Sequence, residues 1–280
     1  MGNLLTHMKV KRQLDLDAFL ADHPVFSLGE LAEARGRPDA ERAAHNQLKH
    51  HLRRGRVKHV ARRIYAAVPP GIDEKGFFPD RYLVGAAARP DGVFAYHAAL
   101  ELLGAAHSVW QECVLHTRRP RTPIEVGHAR VLFLPAPQPL QRQGLDQMAI
   151  RDVPHETRHL RVTGPERTLV EGFRRPHRVG GLSELAESAA GFAMLDFDLL
   201  EAVLVAYDQR SLWAATGWFV EQHVDKWSPP KEFLSRCRDR RPRSNQYLLR
   251  QQRGGTTLPE WNLIVPTALI RGFEGHASDS

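Results

Sequence analysis

Five side chains between positions 42 and 53 carry the clearest chemistry in this sequence. Arg42, Asn46, Lys49, His50 and Arg53 follow one another at spacings of four, three, one and three. On a helix that rhythm sets all five on one side. Arginine and lysine donate to guanine and asparagine pairs with adenine, so Arg42, Asn46 and Lys49 are the candidates to read base edges in a major groove. His50 and Arg53 are expected nearer the DNA backbone. Arg56, Lys58, Arg62 and Arg63, just beyond, are expected on phosphates, where they add affinity without sequence information. Between Arg42 and Arg63 stand eight Lys or Arg residues and no acid. A basic run is ordinarily a solvated face; its place on a third helix and a following hairpin is what favours nucleic acid.

Other strings promise less. His155-Glu156-Thr157-Arg158-His159 matches H-E-x-x-H, which in zinc peptidases puts two histidines one helical turn apart with the glutamate as base. That chemistry needs a helix, whereas Pro154 precedes the string and Leu160-Arg161-Val162-Thr163 follows as an alternating strand pattern. A chance match is expected, with no metal and no other cofactor. Thr163-Gly164-Pro165-Glu166 reads as a helix start: threonine at the cap, proline in the first turn, glutamate three residues on. Arg167-Thr168 beyond it has no evident structural role and stands as a candidate functional motif. Residues 226–253 hold nine basic side chains against Glu232 and Asp239. A second basic patch is expected there at Arg236, Arg238, Arg240, Arg241 and Arg243, open to nucleic acid, to an acidic partner, or to solvent alone. No glycine-rich phosphate loop, G-x-S-x-G or cysteine beside an evident base is present. The reading is therefore non-enzymatic. Its alternative is a metal-dependent nuclease or peptidase carrying a DNA-binding domain, since acid clusters assemble in space rather than in sequence.

The elements that must position these groups follow from start and stop signals. Asp15 or Asp17 opens a first helix with Leu16, Phe19 and Leu20 inward, and Pro24 lies beyond it. Ser27 and Glu30 form a capping box for a second helix that Gly36 ends. Pro38-Asp39 restarts the chain, and from Ala40 to Arg54 the residues Ala44, Leu48 and Leu52 face inward until Gly55. Two strands, Arg56 to Val60 and Ile64 to Val68, are joined by a tight turn at Ala61-Arg62-Arg63. Helix, helix, basic helix and basic hairpin is the order of a winged helix-turn-helix, expected over residues 1–70. The Pro/Gly-dense stretch 71–79 reads as a linker, 80–270 as a larger mixed α/β domain with strands before helices, and 271–280 as a disordered tail. The expected class is α+β.

Composition agrees. The 280 residues are 42% hydrophobic and 25% charged, which suits a folded soluble chain of about two domains. The net charge of +7 is uneven: residues 1–70 carry 13 basic and 7 acidic side chains, residues 71–280 carry 26 and 25. Two cysteines, Cys113 and Cys237, make no disulfide framework and fit a reducing cytoplasm. No stretch suits a signal peptide or a membrane span.

Several stretches in order resemble the AbiEi family of antitoxins and transcriptional regulators of type IV toxin–antitoxin systems. They are Leu52-Arg53-Arg54-Gly55-Arg56-Val57, Arg62-Arg63-Ile64-Tyr65-Ala66, Tyr96-His97-Ala98-Ala99-Leu100 with Gly104, Val162 through Glu171, Gly217-Trp218-Phe219-Val220-Glu221, and Trp261-Asn262-Leu263-Ile264-Val265-Pro266. The sequence departs from the family's usual glycine at Arg63 and its common aspartate at Glu171. The resemblance implies an N-terminal domain that represses its own operon by binding inverted repeats in double-stranded DNA; two copies, a homodimer on the DNA, are expected there because paired half-sites give a winged helix its specificity. It also implies a larger domain that counteracts a nucleotidyltransferase toxin.

Overall fold

Asp15 caps the first helix by accepting from the amides of Asp17 and Ala18, and Ser27 with Glu30 completes the reciprocal capping box at the second. These local contacts open a computed structural model that describes residues 15–36, 40–249 and 253–278; Pro38, Asp39 and Arg250 lie outside them. The chain divides into two compact units, Met1–Pro90 and Asp91–Ser280.

The first unit runs α1 (Leu16–Asp22), β1 (Val25–Ser27), α2 (Leu28–Arg35), α3 (Ala40–Arg53), β2 (Val57–Ala61), β3 (Ile64–Ala67) and α4 (Arg81–Ala88). β3 lies between β1 and β2, antiparallel to both. Ala44 and Leu48 are fully buried with Phe26, Leu31 and Val57, and Leu52 packs on their cluster, so the inward stripe of α3 is as expected. β1 has no counterpart in the sequence reading. The division also falls later than the Pro/Gly density suggests, because α4 packs on β1 and β3. Residues 71–79 are equally part of this unit: the Lys58 ammonium donates to the carbonyls of Glu74 (2.8 Å) and Phe77 and stands over the Phe78 ring. Proline and glycine mark turns; they do not mark where packing stops.

In the second unit come β4 (Val93–Ala95), α5 (His97–Leu102), β5 (Glu112–His116), β6 (Ile124–Val126), β7 (Ala129–Leu134), α6 (Gln138–Arg142), β8 (Ile150–His155) and β9 (Arg158–Thr163). Helices follow: α7 (Pro165–Arg174), α8 (Leu182–Ala190), α9 (Phe197–Tyr207), α10 (Arg210–Glu221), α11 (Val224–Trp227) and α12 (Lys231–Asp239). The end holds β10 (Gln246–Tyr247), β11 (Thr256–Leu258), β12 (Leu263–Val265) and α13 (Thr267–Ser278). The unit is mixed α+β. Its main sheet has the order β6-β7-β5-β4-β9-β8, with β5 parallel to β7 and β4 parallel to β9. α7 packs against α8, α9 and α10 to form the main core.

Two close approaches need glycine. A Cβ on Gly172 would fall 2.5 Å from Leu185, and one on Gly217 would fall 2.5 Å from the Trp261 ring and 2.7 Å from the Cys237 Cβ. Two expectations, on the tail and on the cap of α7, are corrected here. The tail is helical to Ser278: Leu269 is buried, and the Phe273 ring lies 5.5 Å from Trp218 and 6.0 Å from Phe219, which anchors the turn carrying it. The H-E-x-x-H string is a β-hairpin: His155 ends β8, Arg158 starts β9, and Glu156 between them has φ +49°, so the helical zinc geometry is absent. The cap of α7 is Gly164 rather than Thr163. Thr163 bonds forward to Thr168 instead, and Glu166 accepts from the Asp196 amide (3.0 Å). Among the described residues no helix is long and apolar enough to cross a membrane.

Candidate functional site

Arg42, Asn46, Lys49, His50 and Arg53 are all exposed, on the side of α3 opposite Ala44 and Leu48. The only polar contact within the set is loose, Lys49 Nζ to Asn46 Oδ1 at 3.5 Å. Arg42 and Arg53 make no ion pair with any described residue, so their charge is available to a ligand. The five expected base and backbone residues of the helix are therefore together on one surface.

The hairpin is less free. Arg62 is exposed at the β2–β3 turn, and Arg63 beside it has φ +66°, a left-handed conformation that favours the glycine found there in the family it resembles. Arg63 pairs with Glu41 and Arg56 with Asp17, all with side chains about half or more exposed. Exposed pairs of this kind are worth about 0–1 kcal/mol, so a phosphate can displace either acid. Lys58 differs: it is partly buried, and two of its three donors go to the Glu74 and Phe77 carbonyls, so it is held on the 74–77 turn rather than left free on the surface.

The second basic patch is largely consumed. Arg236 bridges to Glu201 at 2.7 Å, and Arg238 bonds Glu221 and stacks 5.0 Å above Trp261. Arg240 lies 4.7 Å over Trp213, and Arg241 donates to the Arg238 carbonyl. Of the five, Arg243 alone is exposed with no partner among the described residues. Sequence could not show this, because Glu201, Glu221, Trp213 and Trp261 come from distant elements.

Arg167 and Thr168 are fully buried. Arg167 Nε donates to Glu171 Oε1 (2.7 Å), Nη1 donates to the carbonyls of Asp146 (2.9 Å) and Met148 (3.0 Å), and Nη2 approaches His116 Nδ1 at 3.5 Å. Thr168 donates to the Thr163 carbonyl (3.0 Å). The motif thus ties α7 to the 146–148 turn and to β5, and this is the role its sequence did not reveal. Burial alone pushes the Glu171 carboxyl up, but the Arg167 charge at 2.7 Å outweighs it and holds the carboxyl below its usual range. Tyr207 donates to the same oxygen (2.7 Å), its own ionisation suppressed by burial and then by Glu171. His116 is neutral: burial first, and then the arginines led by Arg167, bring it down to about 4 against the pull of Glu171. Tyr96, with φ +58°, stands edge-on to the His116 ring at 5.3 Å. Glu171 is part of the string quoted above; His116, Tyr96 and Tyr207 gave no sequence signal as one group.

Residues 92–221 match the family model of the AbiEi antitoxin C-terminal domain. The fold is similar to that in the crystal structure of RV2827C protein from Mycobacterium tuberculosis, with a TM-score of 0.59 and 18% identity over 92% of this chain and 93% of that one. At that identity the likeness is one of fold. A comparison with curated proteins finds no match. The region 92–221 is thus assigned to the AbiEi antitoxin family, a regulatory kind of protein of toxin–antitoxin systems.

Proposed function

We propose that the chain is a sequence-specific DNA-binding autorepressor and the antitoxin of a type IV system. In this reading the first unit is a winged helix-turn-helix. α3 enters the major groove with Arg42, Asn46 and Lys49 at base edges, His50 and Arg53 lie along the backbone, and Arg56, Arg62 and Arg63 take phosphates. The observation that supports it most is the acid-free exposed face of α3 backed by a buried apolar stripe. Two copies on an inverted repeat double the contacts and give the operator its symmetry. The larger unit, carrying the antitoxin domain, counteracts a nucleotidyltransferase-type toxin in the cytoplasm.

Fluorescence anisotropy with the DNA upstream of the chain's own reading frame tests the first half. If about six phosphates are neutralised, affinity falls by roughly a thousandfold between 50 and 200 mM salt. A flat salt response, or equal affinity for scrambled DNA, overturns it. For the second half, the toxin whose reading frame neighbours this one is expressed alone and with this chain. Growth restored only by co-expression is the expected result.

A further inference from the structure

At the carboxyl ends of the parallel strands β5 and β7 lies a cavity of about 280 Å³. Asp91, His116, Thr117, Arg118, Gln141 and Asp146 supply its polar walls. Its place in the sheet is where open α/β sheets hold ligands, and its size is just under the range of about 300–1,000 Å³ typical of small-molecule sites. We propose that this cavity binds a small zwitterion of α-amino-acid size, its carboxylate taken by Arg118 and His116 and its ammonium by Asp146.

The floor is built from the core outward. His116 Nδ1 lies 3.5 Å from Arg167 Nη2 and 4.0 Å from Glu171 Oε2, so the inner edge of the ring faces the buried ion pair. The outer nitrogen, Nε2, has no hydrogen bond to a described residue, and His116 keeps a 3% exposure and lines the cavity. The strained Tyr96 packs edge-on against the same ring, which fixes its direction. The result is an imidazole held in a fixed direction at the base of a polar hollow.

The rim offers both signs of charge. Asp91 Oδ2 accepts from the Thr117 hydroxyl and from the Arg118 amide, both at 2.9 Å, and so holds the end of β5 in shape. The Arg118 guanidinium is 76% exposed and 3.8 Å from Asp146 Oδ2, a loose pair that a ligand can part; the same oxygen accepts from the side-chain amide of Gln147, also in the lining, at 2.6 Å. Gln141 has no side-chain bond among the described residues and adds an adaptable amide. A simple anion would meet Asp91 and Asp146, and a simple cation would meet Arg118. A zwitterion replaces the loose ion pair with two charge-assisted contacts, one to each partner. The site uses no residue of the α3 face, so it stands or falls apart from DNA binding.

The test is thermal unfolding of the full chain with each of the twenty proteinogenic L-amino acids at about 10 mM, where linkage turns binding into a higher melting temperature. At least one is expected to raise it by about 2 °C or more. Calorimetric titration then compares that amino acid with its N-acetyl and carboxamide forms, each expected to bind about tenfold more weakly or worse. Arg118→Ala, at an exposed position, should reproduce the loss seen on blocking the carboxylate. Asp146→Asn, which keeps the carbonyl bonded to Arg167, should reproduce the loss on blocking the ammonium. The proposal is overturned if none of the twenty shifts unfolding. It is overturned equally if blocked forms bind as well as the free amino acid, or if neither substitution weakens a ligand that does bind.

Discussion

Two arginine-rich stretches of this chain meet opposite fates. On α3 the cations face outward with no acid opposite them, whereas on α12 and just after it they are drawn onto Glu201, Glu221, Trp213 and Trp261. Arg167 is the extreme of the second kind, buried and with its donors divided among four acceptors. A count of positive residues ranks the two stretches together. What separates them is whether the fold brings each guanidinium a partner, and that decides which can still serve a ligand.

The contrast can be broken most severely at its buried end. Arg167→Ala leaves Glu171 as an unpaired charge in the core and is expected to cost about 3–5 kcal/mol, read as a shifted denaturant midpoint. The paired change Arg167→Met with Glu171→Leu removes both charges and should cost much less. Near-equal losses would mean that the pair matters for more than its charges.

At the exposed end the sign of the outcome reverses. Arg42→Ala, Asn46→Ala and Lys49→Ala together should weaken operator binding by about a hundredfold or more, at roughly 1–3 kcal/mol per base contact, with thermal stability unchanged. Arg236→Ala with Arg238→Ala is the control: DNA affinity is expected to hold. If anisotropy shows the second pair weakening DNA as much as the first set, the separation of the two stretches is lost.

Acid sharpens the comparison from another side. His116 titrates at about 4 in the fold against 6.5 in an unfolded chain, so the unfolded state takes up the proton first. Its contribution is complete above pH 6.5 and is lost as the pH falls toward 4, by about 3 kcal/mol in all. Urea unfolding at pH 7 and pH 4.5 should show this loss, and His116→Gln should shrink it. The smallest expected effect is steric. Gly217→Ala drives a methyl into Trp261 and Cys237 and should destabilise by about 1–3 kcal/mol, measured as a fall in melting temperature.

What was legible in the sequence was local. The capping box at Ser27 and Glu30, the inward stripe of α3 and its outward cations are set by neighbours within four residues, and all are present in the fold. β1, three residues long, has no periodicity to detect, and α13 is interrupted in sequence by Gly272 and Gly275. The role of Arg167 was hidden because its partners come from positions 116, 146, 148 and 171, of which only the last is a helical neighbour. The division at Pro90 depends on α4 packing against β1 and β3, a contact with no linear trace.

The slot above Gly217 also bears on how the protein is made. It is filled by Trp261, whose indole donates to Glu221 at 2.8 Å, a residue that α10 has already supplied some forty positions earlier in synthesis. Until the ribosome has delivered that tryptophan, α10 and α12 present an open apolar notch to proteases and chaperones. Prematurely ended copies would keep it open. A truncated copy that still carries the N-terminal basic helix would thus differ from a finished one in this unfilled slot.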